Sequence, residues 1–174
     1  MGTILSAYFK ALTDAMTMLS EHPKTLFVGQ SVKYDGQRGY KSFFGVPEER
    51  KIEMPICEDF TVGFCTGLAL AGYIPILFLP RWDFLLIAAN QLVNHLDKIP
   101  LLGNFRPKVI IRTRVGQKKP LDAGPQHTQN HTFAFRQMLT TVDVVELRDA
   151  RDVLPAYEMA MRAKHSTIIV ENPS

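Results

Sequence analysis

Short runs of β-branched and aliphatic residues alternate with longer stretches of helical period along nearly the whole chain. In the first stretch, Ile4, Ala7/Tyr8, Ala11/Leu12, Ala15 and Met18/Leu19 recur at three- and four-residue intervals, which predicts a helix over 3–21 closed by Pro23. Strands are predicted at 25–29, 51–56, 74–79, 108–113, 142–147 and 167–171, and further helices at 59–71, 83–98, 132–139 and 152–164. Residues 33–50 are polar and Gly-rich, a long loop with a short helix near 41–44. The polar stretch 116–129 is long for a connection, which marks function or mobility. Strands and helices in this order predict an α/β domain: a doubly wound, mostly parallel six-stranded sheet with helices on both faces. In such sheets ligands sit outside the carboxyl ends of the strands, so chemistry is sought in the strand-to-helix turns.

Composition narrows the class without changing the fold. A chain of 174 residues suits one domain with a full core. The net charge of +3, with Lys and Arg scattered, speaks against a nucleic-acid partner. No apolar window approaches the roughly 18 residues of a membrane span, and no signal-peptide layout opens the chain. The first six residues, MGTILS, match a loose myristoylation pattern, but Thr3 onward reads as a helix start. Cys57 and Cys65 lie in apolar surroundings without metal spacing; buried, reduced thiols are expected, as in a cytoplasmic protein.

The sharpest strand-to-helix turn is Pro55-Ile56-Cys57-Glu58-Asp59-Phe60, which puts Glu58 at the ligand end of the sheet. A carboxylate favoured by the helix dipole is the plain alternative for this residue. The helix that follows is apolar nearly all round and is expected to be buried on every side, most readily against a partner chain. Gly63 and Gly67, four apart, would let another helix approach closely.

Several motifs then fall in one order. They are Phe27-Val28-Gly29, Ile56-Cys57-Glu58, the small-residue segment from Gly67 to Gly72, Trp82-Asp83-Phe84 and Asn90-Gln91-Leu92-Val93-Asn94. Pro125-Gln126-His127-Thr128-Gln129 and Ile169-Val170-Glu171-Asn172 complete the set. Each motif alone is weak, but the ordered set spans nearly the whole chain. It resembles the pyrimidine-binding domain of the transketolase-like thiamine-diphosphate enzymes, with the 2-oxo acid dehydrogenase beta subunits as the nearest type.

The resemblance implies that Glu58 hydrogen-bonds the pyrimidine nitrogen N1′ of thiamine diphosphate and switches on its 4′-amino group as a base. A carboxyl in an apolar pocket suits that work, because its ionised form is disfavoured there. Ile56 would line the cofactor, and either Trp82 or Phe84 would stack on the pyrimidine; core packing is the alternative for both. His127 would handle protons or hold an oxygen near the substrate. A plain loop histidine is its alternative, and a metal pair with His131 lacks further ligands. Arg112, Arg114, Lys118 and Lys119 form a basic cluster before that loop, suited to an anionic substrate, to an acidic partner surface or merely to solvent.

Two features depart from the pattern. The Gly-Asp-Gly…Asn motif that binds the diphosphate through Mg²⁺ is missing, and so is a C-terminal transketolase domain. The expectation is therefore a chain that forms a single pyrimidine-binding domain over 1–174, either a naturally split subunit or an excised domain, with its start at Met1 favouring the split gene. A separate diphosphate-binding subunit would hold the Mg²⁺, in a heterotetramer that self-associates through the helix at 59–71 and acts on a small carbonyl substrate. Gln30 stands where an acid is expected after Gly29, so a relay through that acid does not carry over. A non-catalytic assembly or regulatory subunit that keeps the fold is the competing reading.

Overall fold

The computed structural model describes residues 2–35, 38–118 and 122–173. Its centre is a six-stranded sheet in the order β2-β1-β3-β4-β6-β5, formed by β1 (Thr25–Gly29), β2 (Lys51–Glu53), β3 (Ile74–Phe78), β4 (Ile110–Arg114), β5 (Asp143–Leu147) and β6 (Thr167–Glu171). Every pairing is parallel. The sheet is buried on both faces, which is why its central strand β3, Ile-Pro-Ile-Leu-Phe, reads as a continuous apolar run.

The two-residue alternation of the strands sorts their side chains into two cores. Val28, Leu77, Ile111, Ile168 and Val170 point to one face, where α2 (Glu58–Leu70) and the segment 82–96 pack. Phe27, Ile76, Phe78, Ile110 and Ile169 point to the other, where α1 (Gly2–Ser20) lies beside α5 (Ala150–Arg162). The buried stripe of α1 is Tyr8, Leu12, Ala15, Met16 and Leu19. The short helices α3 (Ile99–Leu102) and α4 (Thr132–Met138) complete the set.

The predicted helix at 83–98 is not one helix. It divides into a 3-10 turn at Trp82–Leu86 and a π-helix at Gln91–Leu96. Leu85, Ala88, Leu92 and Leu96 keep a helical stripe toward the core, but the backbone widens so that Asp97 N–H donates to Leu92 O at 2.9 Å. This widened end buries Asp97, whose Oδ1 accepts from the N–H groups of Thr140, Thr141 and Val142 at 2.9, 2.7 and 3.1 Å.

Three further expectations change. Cys65 is buried, but Cys57 is exposed at the N-cap of α2, because the turn carries its side chain away from the core; both thiols are free. Arg112 leaves the expected basic cluster. Arg112 lies on the inner face of β4, where its Nε donates to Glu171, its Nη1 donates to Ser42 Oγ at 2.6 Å, and its guanidinium stands over Phe43 and Phe78. The carboxylate of Glu171 holds the Arg112 charge firmly in place despite burial, raising its pKa. Arg114 donates to Pro80 O at 3.0 Å, Lys118 is exposed, and Lys119 lies outside the described residues. Lastly, α2 is buried in this chain along one side only: Val62, Cys65 and Ala69 are inside, while Phe60, Gly67 and Leu70 are exposed. Gly63 faces its own chain, where an added Cβ would meet Gln91 Oε1 at 3.4 Å; at Gly67 it would meet nothing. Among the described residues no helix is long and apolar enough to cross a membrane.

Candidate active site

The site begins with a strained turn at the end of β1. Gly29 has φ 146°, and a Cβ there would lie 2.2 Å from the carbonyl oxygen of Phe78, so only glycine lets β1 and β3 close up at this point. Ser31, two residues on, has φ 58°. The N–H groups of Ser31, Val32 and Lys33 donate to the carboxylate of Glu53 at 2.5, 3.0 and 2.8 Å. Three convergent backbone donors make an anion cradle, and here the chain fills it with the last side chain of β2.

That clamp fixes Gln30. Its Nε2 donates to Glu58 Oε1 at 3.1 Å, a buried contact between the turn after β1 and the first residue of α2. Glu58 is only 5% exposed, and no other hydrogen bond engages its side chain among the described residues. The first turn of α2 favours the negative charge through the helix dipole. Beside it, Thr61 N–H and Oγ1 close the turn on Cys57 O at 2.9 and 2.8 Å. Asp59 accepts from Gln91 Nε2 at 3.4 Å, which ties α2 to the π-helix. Ile56, 84% exposed, stands at the rim of this turn.

The exit of β3 carries Trp82, Asp83 and Phe84. Trp82 is wholly buried: its ring stacks on Phe135 at 4.7 Å and its Nε1–H donates to Thr132 Oγ1 at 3.2 Å. Both its face and its polar handle are used by the core. Phe84 is half-buried and meets the imidazole of His127 edge-on at 5.4 Å. Of the two aromatics left open by the sequence, Trp82 is enclosed by the core and Phe84 keeps part of its ring exposed.

His127 lies in the loop after β4. Gly124, with φ 79°, accepts from His127 N–H at 3.1 Å. Gly116 lets this loop press on the exit of β4, since a Cβ there would fall 1.7 Å from His127 O. Asp83 Oδ1 accepts from Gln129 Nε2 at 3.1 Å and stands 3.5 Å from His131 Nε2, so the loop is tied to the segment that carries Phe84.

Gln30, Glu58, Phe84 and His127 therefore follow β1, β2, β3 and β4, four neighbouring strands, and all belong to the carboxyl edge of the sheet. The structure brings Gln30 against Glu58 and Phe84 against His127. Sequence reasoning misses Glu53 and Asp83, because a carboxyl that holds another segment's turn leaves no periodic mark. Among the described residues no cluster of three or more His, Cys, Asp or Glu could hold a metal ion.

An all-parallel doubly wound sheet with a buried carboxyl beside the β1/β3 switch point defines an α/β ligand-binding domain. The family model of the transketolase pyrimidine-binding domain matches residues 6–174, and the chain belongs to that family. Pyruvate dehydrogenase E1 component subunit beta of Chaetosphaeridium globosum is 32% identical over 137 residues, which are 75% of this chain and 41% of that protein. The mitochondrial counterpart of Chaetomium thermophilum is 28% identical over 171 residues, 94% of this chain and 44% of that one. The chain thus spans less than half the length of either relative. Among solved structures, it superposes on a split gene transketolase, an inactive beta4 tetramer, with TM-score 0.69 and 22% identity, covering 96% of this chain and 50% of that one. Transketolase from Campylobacter jejuni aligns with TM-score 0.75 and 14% identity over 93% of this chain and 25% of its own.

Proposed function

We propose that this chain is the pyrimidine-binding subunit of a split thiamine-diphosphate-dependent enzyme acting next to a carbonyl, by 2-oxo acid decarboxylation or transketolase-like ketol transfer. The observation that carries the reading is Glu58, a carboxyl buried at the ligand end of the sheet. Gln30 engages one of its oxygens, and the other has no hydrogen-bond partner among the described residues. An aminopyrimidine asks for one carboxyl oxygen at its ring nitrogen and an apolar face to lie against. Glu58 Oε2, the ring of Phe84 and the side chain of Ile56 offer that chemistry, so the residues fit the cofactor.

Thiamine diphosphate, when bound, supplies the thiazolium group that takes up the electrons of the cleaved bond. Glu58 would hold the ring nitrogen N1′ through Oε2 and exchange a proton with it. Phe84 would offer an apolar face to the ring, and His127, beside it, would give or take a proton at the substrate oxygen. A diphosphate-binding partner chain, holding Mg²⁺, completes the site, since this chain lacks the Gly-Asp-Gly…Asn motif. The bare stripe of Phe60, Gly67 and Leu70 on α2 suits self-association into a heterotetramer. This chain alone would then be inactive, and the split gene transketolase it superposes on is likewise an inactive beta4 tetramer.

The test mixes this chain with its diphosphate-binding partner and follows turnover and binding of thiamine diphosphate with Mg²⁺. Glu58→Gln keeps the hydrogen bond but not the proton exchange, so turnover is expected to fall about 10²–10⁴-fold with assembly intact. Near wild-type turnover would remove Glu58 from the mechanism. Absence of cofactor binding with and without the partner would instead support a non-catalytic assembly subunit.

A further inference from the structure

We propose that Gln30 is a positioning residue that occupies Glu58 Oε1 permanently and so reserves Oε2, and the proton it carries, for the cofactor ring. The inference rests on the catalytic reading of Glu58 and goes beyond it by assigning the two oxygens different work.

A primary amide is neutral at every pH at which a protein folds, and its N–H is a donor only. Gln30 Nε2 therefore donates to Glu58 Oε1 whether the carboxyl is ionised or protonated. With an N–H aimed at Oε1, a proton on Glu58 belongs on Oε2, the oxygen that no described residue engages. The backbone that carries the amide is fixed, and residue 30 is buried. Gly29 and Ser31 on either side hold positive φ, and the three N–H groups after Gln30 are clamped by Glu53. Neighbouring carboxyls do not compete for the contact: Glu53 is held by that clamp, and Asp59 accepts from Gln91.

A carboxyl at position 30 could make the same contact only by bringing a proton of its own. Two acids would then share protons, and each would titrate in the presence of the other. Gln30 removes that second titrating group. Glu58 is left with a single route for its proton, through Oε2.

The first test uses the full chain without cofactor, followed by nuclear magnetic resonance. The side-chain amide protons of Gln30, identified by their loss in Gln30→Met, are expected to exchange with water about tenfold more slowly than those of exposed glutamines. Glu58→Ala should abolish that protection. Exchange indifferent to Glu58→Ala overturns the contact.

The second test uses the assembled enzyme. Gln30→Met is expected to weaken thiamine diphosphate binding about fivefold, the loss expected when one hydrogen bond no longer holds the carboxyl. Unchanged affinity overturns the positioning role. If the resonance results hold while Glu58→Gln leaves both cofactor binding and turnover untouched, the failure lies with the cofactor reading and not with the Gln30 contact.

Discussion

The ring of Phe84 meets the imidazole of His127 edge-on, with centroids 5.4 Å apart and planes at 81°. Two residues earlier, Trp82 is enclosed by Phe135 and Thr132. The two aromatics should therefore fail differently. Trp82→Ala opens a core cavity and is expected to destabilise the chain by about 3–5 kcal/mol in urea unfolding. Phe84→Ala should leave the unfolding midpoint within the range of ordinary surface changes but weaken thiamine diphosphate binding in the assembled enzyme. Equal loss of stability in both variants would contradict this division.

Asp97 gives the fold an acid-sensitive joint. Burial pushes its carboxyl pKa up, but the Lys98 ammonium and the N–H groups of Thr141 and Thr140 outweigh burial and hold it below its ordinary value of 3.8. A carboxyl depressed in the folded state adds stability above its unfolded pKa and loses it as pH falls through the folded one. Wild type should thus exceed Asp97→Asn in thermal stability at neutral pH, with the gap constant down to about pH 4 and shrinking below it. Melting temperatures of both proteins between pH 3 and 7 check this.

Arg112 and Glu171 pair inside the core under the sheet. Removing one partner strands the other in a low-dielectric interior, so Arg112→Met is expected to cost about 3–5 kcal/mol. Replacing both, as Arg112→Met with Glu171→Leu, should recover much of that loss. Chemical unfolding of the two variants and wild type forms the comparison.

Gly67 offers a clean probe of the exposed stripe on α2. Nothing lies within 4 Å of a Cβ built there, and an alanine in a helix interior is favoured over glycine by about 0.5–1 kcal/mol. Gly67→Leu should therefore leave the isolated chain as stable as wild type or slightly more so. If α2 packs on a second copy, the same change blocks the approach and shifts sedimentation toward smaller species. A variant that sediments as wild type does would move the association surface elsewhere.

Legibility in the sequence follows the range of the interactions. The bounds of β1 and β6 match the prediction because each centres on a short apolar run, Leu26–Val28 and Ile168–Val170, which local pattern reports directly. The position of Glu58 is legible because a strand, a turn and a helix meet there within a few residues. The segment 82–96 is half legible: its buried side chains keep helical spacing, but its widened hydrogen bonding depends on Asp97 reaching residues 140–142. Arg112 is misplaced by local pattern for the same reason. Its partner Glu171 is 59 residues away, and no feature of the local run distinguishes a paired core arginine from a solvated one. Glu53 and Asp83 are invisible because each serves a turn from another strand.

The contact between Gly29 and the carbonyl of Phe78 has a consequence for how this chain can vary. Position 29 has no mutational neighbourhood: even the methyl group of alanine would fall 2.2 Å from a backbone oxygen, at the carboxyl edge where β1 and β3 end side by side. The loops around it can drift, but the end of β1 stays a single fixed landmark, with Gln30 on one side and the exit of β3 on the other.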